Sequence, residues 1–365
     1  MFSLRPYQVR SVDFLLPRQR GFIVAPAGSG KTLIAASAAK AVAQPFDRVG
    51  WLCNTKEQCE QAHDAAKKID WSATVTLVVR CVAGRPDVSE FDILIIDECH
   101  HLPAMTWTET ALGAKGIVWG FSATPWSGDW ERDGVLKAFF GEENFLVIDR
   151  KEVIAGGSIT QGVVYVHHVD REGEFNDQID YIAAKETAIR CKRYPMISRF
   201  EHERRCRWQT TVEFIKSNQN RNQRIADLAN QSNAATLILV SAIEHGEYLA
   251  KYITDSFLVH AKIGKKKRTQ AIDDFRTGKL RVMLATSLAD EGLDVPRASV
   301  LILASGGRSA GKLEQRAGRV MRPHEGKEFG TVHDFSDAGA SLAHNQFKAR
   351  ARTYKKLGYK IHDYS

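Results

Sequence analysis

The sequence contains no C-x-x-C cysteine pair, no low-complexity tract and no apolar run long enough to cross a bilayer. Without that spacing, the six cysteines predict neither a disulfide framework nor a familiar zinc motif, and they fit a reducing compartment. The N-terminus also lacks the arrangement of a signal peptide. We therefore expect a cytoplasmic protein without a membrane partner.

Composition and charge indicate two domains and a polyanionic partner. The chain has 365 residues, of which 44% are hydrophobic, which is enough for two cores of ordinary size. Residues 1–150 contain 16 Lys+Arg and 18 Asp+Glu, whereas the remainder contains 35 and 25, so the positive charge lies in the second part. Such a basic region is typical of proteins that bind polyanions, although a solvated basic surface is an equal alternative from charge alone.

Short apolar runs alternate with helical patterns along most of the chain. The runs lie at 21–25, 49–53, 74–79, 93–96 and 117–121, and again at 163–167, 237–240, 282–285, 300–303 and 332–335. Apolar strands separated by helices are typical of doubly wound parallel sheets. Because the layout occurs twice, we predict two α/β domains, 1–157 and 158–340, with a hinge at Gly156 and Gly157.

Two segments depart from this alternation. Residues 185–224 contain 11 Lys+Arg against 4 Asp+Glu, with aromatic residues interleaved. This composition predicts a basic helical insertion, about 185–232, at the start of the second domain. Residues 341–365 are predicted to form a basic C-terminal helix and tail after that domain.

The segment Ala25–Thr32 predicts a phosphate-binding loop. It follows an apolar strand and precedes a helix, so the backbone N–H groups of Gly28, Ser29 and Gly30 would surround phosphates at the positive helix N-terminus. Lys31 would then reach the β- and γ-phosphates, and Thr32 would offer its hydroxyl to Mg²⁺. The predicted cofactors are therefore ATP and Mg²⁺.

A pair of carboxylates, Asp97 and Glu98, follows the apolar run at 93–96. Ligands bind at the carboxyl ends of the strands in open parallel sheets. We expect Asp97 to hold Mg²⁺ and Glu98 to orient and deprotonate the attacking water. An acidic pair that only ends a strand is the alternative, and the preceding phosphate loop disfavours it.

An arginine array lies more than two hundred residues further along the chain, in the segment that contains Gln315, Arg316, Arg319 and Arg322. Phosphoryl transfer requires charge stabilisation, which an arginine finger can supply. The spacing of Arg319 and Arg322 predicts one helical face, which Gln315 and Arg316 extend. An ordinary solvated basic helix is the alternative.

Together these segments resemble the motifs of the superfamily 2 DExH-box helicases. The matching segments are Ala25–Thr32 (motif I), Asp97–His100 (II), Ser122–Thr124 (III), Thr286–Asp294 (V) and Gln315–Arg322 (VI), with weaker signals at Trp51–Thr55 and Leu237–Ser241. The run D-E-C-H-H is most similar to that of phage and bacterial branch-migration helicases and of XPB-type translocases. The resemblance implies two RecA-like domains.

The resemblance also implies roles for residues outside the phosphate loop. Arg5 and Gln8 would bind adenine, because an amide can pair with its N6 and N7 atoms, and Gly292 and Asp294 would also contact the nucleotide. Ser122 and Thr124 would couple hydrolysis to movement along nucleic acid. The implied nucleic-acid contacts are Thr55, Ser241 and Thr286, with His260 near a family contact and Arg80 a candidate by its position alone.

Four aromatic residues near basic or motif segments are candidates for a strand-separating wedge: Trp126, Trp130, Phe200 and Trp208. The alternative for each is a place in the core, which is the commoner fate of aromatic side chains at helical spacing. The basic stretch around 262–281 is a further candidate grip on phosphates.

The resemblance implies an ATP-dependent DNA helicase or translocase that moves 3′ to 5′ without sequence specificity. Its expected partner is single-stranded or branched DNA in recombination, repair or replication, and we expect a monomer in the cytoplasm of a bacterium or phage-infected host. The alternatives are a DExH RNA helicase, a nucleotide-switched nucleic-acid clamp, and the motor subunit of a nuclease complex.

Overall fold

The computed structural model describes residues 3–364, apart from positions 68, 70, 72–73, 127, 171–172, 287–294 and 308. The chain forms two compact units, which divide between Thr160 and Gln161. No helix in this described part combines the length and the apolar composition that crossing a membrane would require.

The first unit is built on a six-stranded parallel sheet in the order β3-β2-β4-β5-β1-β6. Its strands are β1 (Arg20–Val24), β2 (Arg48–Cys53), β3 (Thr76–Cys81), β4 (Ile93–Asp97), β5 (Ile117–Ser122) and β6 (Phe145–Val147). Its helices are α1 (Pro6–Leu15), α2 (Lys31–Val42), α3 (Lys56–Lys67), α4 (Met105–Leu112), α5 (Trp130–Phe140) and α6 (Arg150–Ala155), with short 3₁₀ turns at Val82–Gly84 and Cys99–His101.

The second unit is built on a seven-stranded parallel sheet in the order β13-β7-β12-β11-β8-β10-β9. Its strands are β7 (Gln161–His168), β8 (Thr236–Leu239), β9 (Ser256–Val259), β10 (Val282–Ala285), β11 (Val300–Leu303), β12 (Phe329–Ser336) and β13 (Lys360–Tyr364). Its helices are α7 (Asn176–Arg193), α8 (Arg199–Ser217), α9 (Gln219–Gln231), α10 (Ile243–Ala250), α11 (Lys265–Thr277), α12 (Ala310–Val320) and α13 (Ser341–Lys356).

The central strands are buried because they are apolar on both faces. Residues Ile93–Ile96 of β4 are each at most 1% exposed, and the whole of β8 and β10 is buried. Parallel strands covered by helices on both sides require such continuous apolar runs. The doubly wound α/β architecture predicted from the sequence is therefore confirmed, with each of the ten predicted runs forming a strand.

Three strands escaped prediction: β6, β9 and β13. Each lies at an edge of its sheet and has exposed positions. The last of them changes the expected C-terminus, because Lys360–Tyr364 pairs with β7 and belongs to the second sheet instead of a tail. Edge strands are only partly buried, so they lack the apolar run that identifies a central strand.

The expected hinge at Gly156 and Gly157 is attached to the first unit. Arg5 Nε donates a hydrogen bond to the Gly156 carbonyl oxygen, and the Tyr7 hydroxyl is hydrogen-bonded to Ser158 Oγ. These contacts tie the segment to α1, and the division between the units lies after it, at Thr160. The helical insertion also begins earlier than expected, since α7 starts at Asn176.

The second unit contains three histidines whose surroundings favour the neutral ring. Burial lowers the pKa of His245 to about 3, of His167 to about 3 and of His333 to about 4. Because Arg224 Nε donates to His167 Nδ1, the neutral His167 donates from Nε2 to Nδ1 of His333, 2.9 Å away. A proton on either ring would disrupt this chain of donors and acceptors.

We expect the protein to lose stability as the pH falls from about 6.5 towards 4. Over that range the unfolded chain binds protons on these histidines and the folded chain does not, which is worth up to about 2 kcal/mol per histidine at pH 5. Urea unfolding at pH 7 and pH 5 measures the loss. In His245→Gln the loss should be smaller, since glutamine does not titrate and can still donate to Asn222 Oδ1; an equal loss in both proteins would contradict the assignment.

Candidate active site

The phosphate-binding segment forms a loop between β1 and α2, as the sequence predicts. Gly28 and Gly30 have backbone φ angles of 84° and 82°, which residues other than glycine rarely adopt. A Cβ atom at Gly30 would lie 2.6 Å from Nε2 of Gln8. Glycine at this position therefore allows both the left-handed turn and the close approach of α1.

The start of α1 holds this loop in place. Tyr7 Oη donates to the Ser29 carbonyl oxygen at 2.7 Å, and Gln8 Nε2 donates to the same oxygen at 3.0 Å. Gln8 Oε1 accepts from the backbone N–H of Arg5. Tyr7 was not predicted to support the loop, although an aromatic residue next to Gln8 was a usable signal. The Gln8 amide keeps one N–H and one lone pair for an adenine base.

Asp97 and Glu98 lie at the carboxyl end of β4, in the middle of the same sheet. Burial and the neighbouring Glu98 charge raise the pKa of Asp97 to about 6, and nearby Lys31 opposes this rise. Burial alone would raise the pKa of Glu98, but His100 and Lys31 outweigh it and lower that pKa. The charge of the loop lysine therefore acts on both carboxylates.

Glu98 has a left-handed backbone, with φ of 49°. Such a conformation is strained for a residue with a side chain and occurs often at functional sites. Its Oε2 atom is buried and has no hydrogen-bond donor among the described residues, although His100 Nδ1 lies 3.2 Å away. The Glu98 carboxylate therefore has an oxygen that can still accept a hydrogen bond.

His100 links the acidic segment to the end of β5. Its Nδ1 atom lies 2.9 Å from Ser122 Oγ, and that hydroxyl accepts from the N–H of Thr124. The two proposed coupling residues, Ser122 and Thr124, therefore contact each other. The side chain of His100 lies between Ser122 and Glu98. The sequence predicts no separate role for His100, and only the fold shows that it bridges the two segments.

The residues around the loop fit a phosphate–magnesium ligand. Ser29 Oγ in the loop, like Glu98 Oε2, is a buried polar atom that has no hydrogen-bond partner among the described residues. Within the described ranges, no three His, Cys, Asp or Glu side chains form a metal site of their own. Mg²⁺ commonly binds through one or two protein oxygens plus phosphate oxygens, so Thr32 and Asp97 suffice as a protein contribution.

The arginine array is arranged differently from the prediction. Arg319 lies in the last turn of α12 and is 7% exposed, whereas Arg322 lies two residues beyond the helix end. Pro323 explains the early end, since a residue before proline disfavours the helical conformation. Burial, with a smaller contribution from Arg276, lowers the pKa of Arg322. Gln315 and Arg316 are half-buried on the same helix.

The proposed nucleic-acid contacts lie at the carboxyl edges of the two sheets. In the first unit, Thr55 follows β2, and Arg80 lies in the neighbouring strand β3 with an exposed side chain. In the second unit, Ser241, His260 and Thr286 follow the adjacent strands β8, β9 and β10. His260 Nδ1 is buried without a hydrogen-bond partner in the described part of the chain.

Two predicted nucleotide contacts, Gly292 and Asp294, lie outside the described residues, as does most of the segment 286–294.

The wedge candidates differ in exposure. Trp130 is 81% exposed and Phe200 73%, Trp126 is partly exposed beside Phe145, and Trp208 is half-buried in a cavity wall with Val212 and Ile215.

The glycine loop, the acidic pair and the two parallel sheets define a P-loop nucleoside triphosphatase with two RecA-like units. Two family models match it: "Type III restriction enzyme, res subunit" over residues 1–77 and 79–127, and "Helicase conserved C-terminal domain" over residues 196–324. The chain belongs to the superfamily 2 DExH-box helicases, as its motifs indicated.

Several curated proteins are similar over most of the chain. A protein named Rad25 from Halobacterium salinarum is 27% identical over 344 residues, which cover 88% of this chain and 52% of Rad25. The DNA 3′-5′ translocase XPB2 of Sulfurisphaera tokodaii is 25% identical, over 88% of this chain and 79% of XPB2. The DNA 3′-5′ helicase XPB of Kineococcus radiotolerans is 26% identical, over 91% and 60%. The chain thus spans about half to four-fifths of these relatives.

Solved structures show the same fold. The helicase domain of Pyrococcus furiosus Hef superposes with a TM-score of 0.59 at 16% identity and covers 95% of this chain and 98% of its own. Saccharomyces cerevisiae Dbp5 bound to RNA and ADP BeF3 gives 0.62 at 15% identity, over 98% and 90%. At this identity the similarity concerns the architecture alone.

Proposed function

We propose that this chain is an ATP-dependent DNA helicase or translocase that moves 3′ to 5′ on single-stranded or branched DNA. The observation that supports this most is the joint position of the phosphate loop, Asp97–Glu98 and Ser122 at the carboxyl edge of one sheet. Relatives named as DNA 3′-5′ helicases and translocases, similar over most of the chain, support the substrate and the direction.

In the proposed reaction the loop amides and Lys31 bind the phosphates of ATP. Lys31 Nζ donates to the Ala25 carbonyl oxygen at 3.3 Å and would exchange this contact for phosphate oxygens. Glu98 would orient and deprotonate the attacking water. Its lowered pKa keeps the carboxylate ionised at neutral pH, and its Oε2 atom has no hydrogen-bond partner among the described residues. Arg319 and Arg322 of the second unit would stabilise the charge that develops on the γ-phosphate.

Thr32 and Asp97 would hold Mg²⁺ when the nucleotide is bound. The ion would supply positive charge to the phosphate oxygens. Binding of the ion also fits the raised pKa of Asp97. Burial and the Glu98 charge both disfavour the ionised Asp97, and a bound cation would compensate for them. Asp97 accepts from the Glu98 N–H through Oδ1, which fixes the orientation of its carboxylate.

The proposed grip on DNA uses phosphates rather than bases. Thr55, Ser241, Thr286 and His260 would contact phosphate oxygens, and Arg80 would add a charge at the edge of the first sheet. Hydroxyl and backbone contacts to phosphates carry no sequence information, so we expect little sequence preference. Ser122, Thr124 and His100 would transmit the state of the nucleotide to this surface through the contact near Glu98.

Steady-state ATP hydrolysis with different nucleic acids tests this proposal. We would measure it alone and with single-stranded DNA, duplex DNA, four-way DNA and single-stranded RNA, at matched nucleotide concentration and low salt. Stimulation by DNA, greatest with branched DNA, is the expected result. Affinity for single strands should fall with salt, with a slope of roughly −0.7 per neutralised phosphate.

The other outcomes are equally informative. Stimulation by RNA alone would replace the proposal with an RNA helicase. Hydrolysis that no nucleic acid changes would instead support a nucleotide-switched clamp or a motor subunit that requires a partner.

Replacing Gln8 tests whether it recognises adenine or only supports the loop. In Gln8→Ala we expect the KM for ATP to rise by about tenfold while the KM for GTP changes little, since one lost hydrogen-bonded pair is worth roughly 1.4 kcal/mol. Equal increases for both nucleotides would mean that Gln8 acts only through its bond to Ser29. Gln44→Ala, an exposed glutamine in the same unit, is the control.

A further inference from the structure

The basic insertion contains a helical hairpin whose tip exposes apolar side chains. Helices α7 and α8 run against each other and are joined by a short turn at Tyr194–Ser198. At this tip Met196 is 95% exposed, Phe200 73%, Tyr194 45% and Ile197 39%. A solvated turn would normally contain polar residues instead, so this surface requires an explanation.

The two helices of the hairpin are packed together along their length. Asp180 of α7 forms an ion pair with Arg207 of α8 at 2.8 Å, and Ala183, Thr187 and Cys206 are buried along the two helices. Near the tip, the buried His202 Nε2 lies 3.1 Å from the Tyr194 carbonyl oxygen and donates to it. The turn is therefore attached to α8.

The hairpin base is fixed in the body of the second unit. Ile179 packs with Ala340 and Ala343 in a small core that also includes Phe175 and Phe214. At 1.5 Å per residue, α7 extends from this core for about 20 Å before the tip. The exposed apolar residues thus lie at the far end of an anchored projection.

The tip is surrounded by positive charge. Residues 190–207 contain seven Lys+Arg and two Asp+Glu. Glu203 is paired with Arg199, and within the described residues no carboxylate lies within ion-pair distance of Arg190, Lys192, Arg204 or Arg205. Arg204 and Arg205 line one open cleft with Trp208 and Ile197. This charge matches a nucleic-acid backbone on either side of the apolar tip.

We propose that the α7–α8 tip is a wedge that inserts at the junction between duplex and single-stranded DNA. Apolar side chains such as Phe, Met, Ile and Pro can enter between base steps and unstack them, while flanking cations hold the phosphates. Met196 and Phe200 would contact the terminal base pair, and Arg204 and Arg205 would hold the adjacent backbone. This inference rests on the proposed DNA motor function and names the substrate feature that it acts on.

Within the hairpin, the structure distinguishes between two wedge candidates of the sequence, Phe200 and Trp208. Trp208 lies further along α8, half-buried in a cavity wall, and is farther from the tip than Phe200. Met196 was not a candidate, because a lone methionine in a basic stretch carries no sequence signal for a wedge. Its exposure at the end of the packed hairpin is seen only in the structure.

The first test compares strand separation with ATP hydrolysis on a forked DNA duplex. In Met196→Asn/Phe200→Asn we expect base pairs opened per ATP hydrolysed to fall at least fivefold. The matched control is Tyr181→Ser/Ile189→Ser, which removes two side chains that are 62% and 59% exposed on the same hairpin. In that control the ratio should stay within twofold of the unaltered protein. An unchanged ratio in the tip variant would overturn the wedge.

A second test works without ATP and therefore does not depend on hydrolysis. A 2-aminopurine base at the junction becomes more fluorescent when it leaves the base stack, so the unaltered protein should raise its signal and the tip variant should not. No rise with the unaltered protein would contradict the wedge even if DNA stimulates hydrolysis. Absence of DNA-stimulated hydrolysis, with the fluorescence rise intact, would instead contradict the motor. Self-association that the tip variant abolishes would assign the tip to a protein interface and overturn the proposal.

Discussion

Replacing Glu98 with glutamine is expected to lower the turnover of ATP by a factor of about 10² to 10⁴. A positioned general base contributes that much, and glutamine cannot take a proton from water. The amide has nearly the same shape as the carboxylate, so the side chain should keep its place beside His100, whose Nδ1 lies 3.2 Å from Oε2. We therefore expect ATP binding to survive and only the chemical step to fail.

The measurement is steady-state hydrolysis with saturating single-stranded DNA, together with binding of a fluorescent ATP analogue. Glu143→Gln, an exposed carboxylate in the same unit, serves as the control and should leave both values unchanged. Lys31→Ala should differ from Glu98→Gln by weakening nucleotide binding as well as turnover. If Glu98→Gln keeps more than a tenth of the turnover, another group must activate the water.

Replacing Asp334 with alanine is expected to destabilise the second unit by about 3–5 kcal/mol. Asp334 is fully buried in β12, and its two oxygens accept from Nε and Nη2 of Arg350, each at 2.8 Å. The Tyr354 hydroxyl donates to the same carboxylate at 2.9 Å. Removing one partner of a buried pair leaves the other charge uncompensated, which has an effect of this size.

The neighbours of Asp334 show how strongly this network is connected. Burial alone would lower the pKa of the Arg350 guanidinium, but the charge and hydrogen bonds of Asp334 outweigh the effect of burial and raise that pKa. Burial and Asp334 together raise the pKa of Tyr354 far above its usual value. Arg350 also donates to the Gly307 carbonyl oxygen, so its loss of position would disturb the loop after β11.

Urea unfolding can separate the two units spectroscopically. Six of the seven tryptophans precede residue 160, so tryptophan fluorescence reports mainly on the first unit and circular dichroism on both. In Asp334→Ala the dichroism transition should shift down by roughly 1–2 M urea, while the fluorescence transition stays in place. Asp363→Ala removes an exposed carboxylate of the same sheet and should change stability by less than about 1 kcal/mol. A similar shift in both variants would mean that the Asp334 network contributes little.

Much of the nucleotide site could be predicted from the sequence because its parts are local. The loop 25–32 needs only glycines at fixed spacing between a strand and a helix, and Asp97–Glu98 needs only a preceding apolar strand. The contacts that support them join distant segments. Tyr7 reaches Ser29 across 22 residues, and His100 reaches Ser122 across another 22. No local pattern contains such a pair.

Boundaries were less predictable than elements. The glycines at 156–157 suggested a hinge, but Arg5 binds this segment to the first unit from 151 residues away. The spacing of Arg319 and Arg322 suggested one helical face, but the helix ends before Arg322. Pro323 explains this end, because a residue that precedes proline disfavours the helical conformation. Strand β13 was missed because it is an edge strand in which four of the five residues are exposed.

The sequence by itself determined the family, the two parallel sheets and the residues proposed to act on ATP, because apolar periodicity and phosphate chemistry are encoded in short segments. Only the tertiary structure decided which side chains support those segments, where the first unit ends and which residues the basic hairpin exposes at its tip. Burial and long-range hydrogen bonds depend on the packing of segments that are far apart in the chain. For that reason Met196 and His100 gained their proposed roles from the fold and not from the sequence.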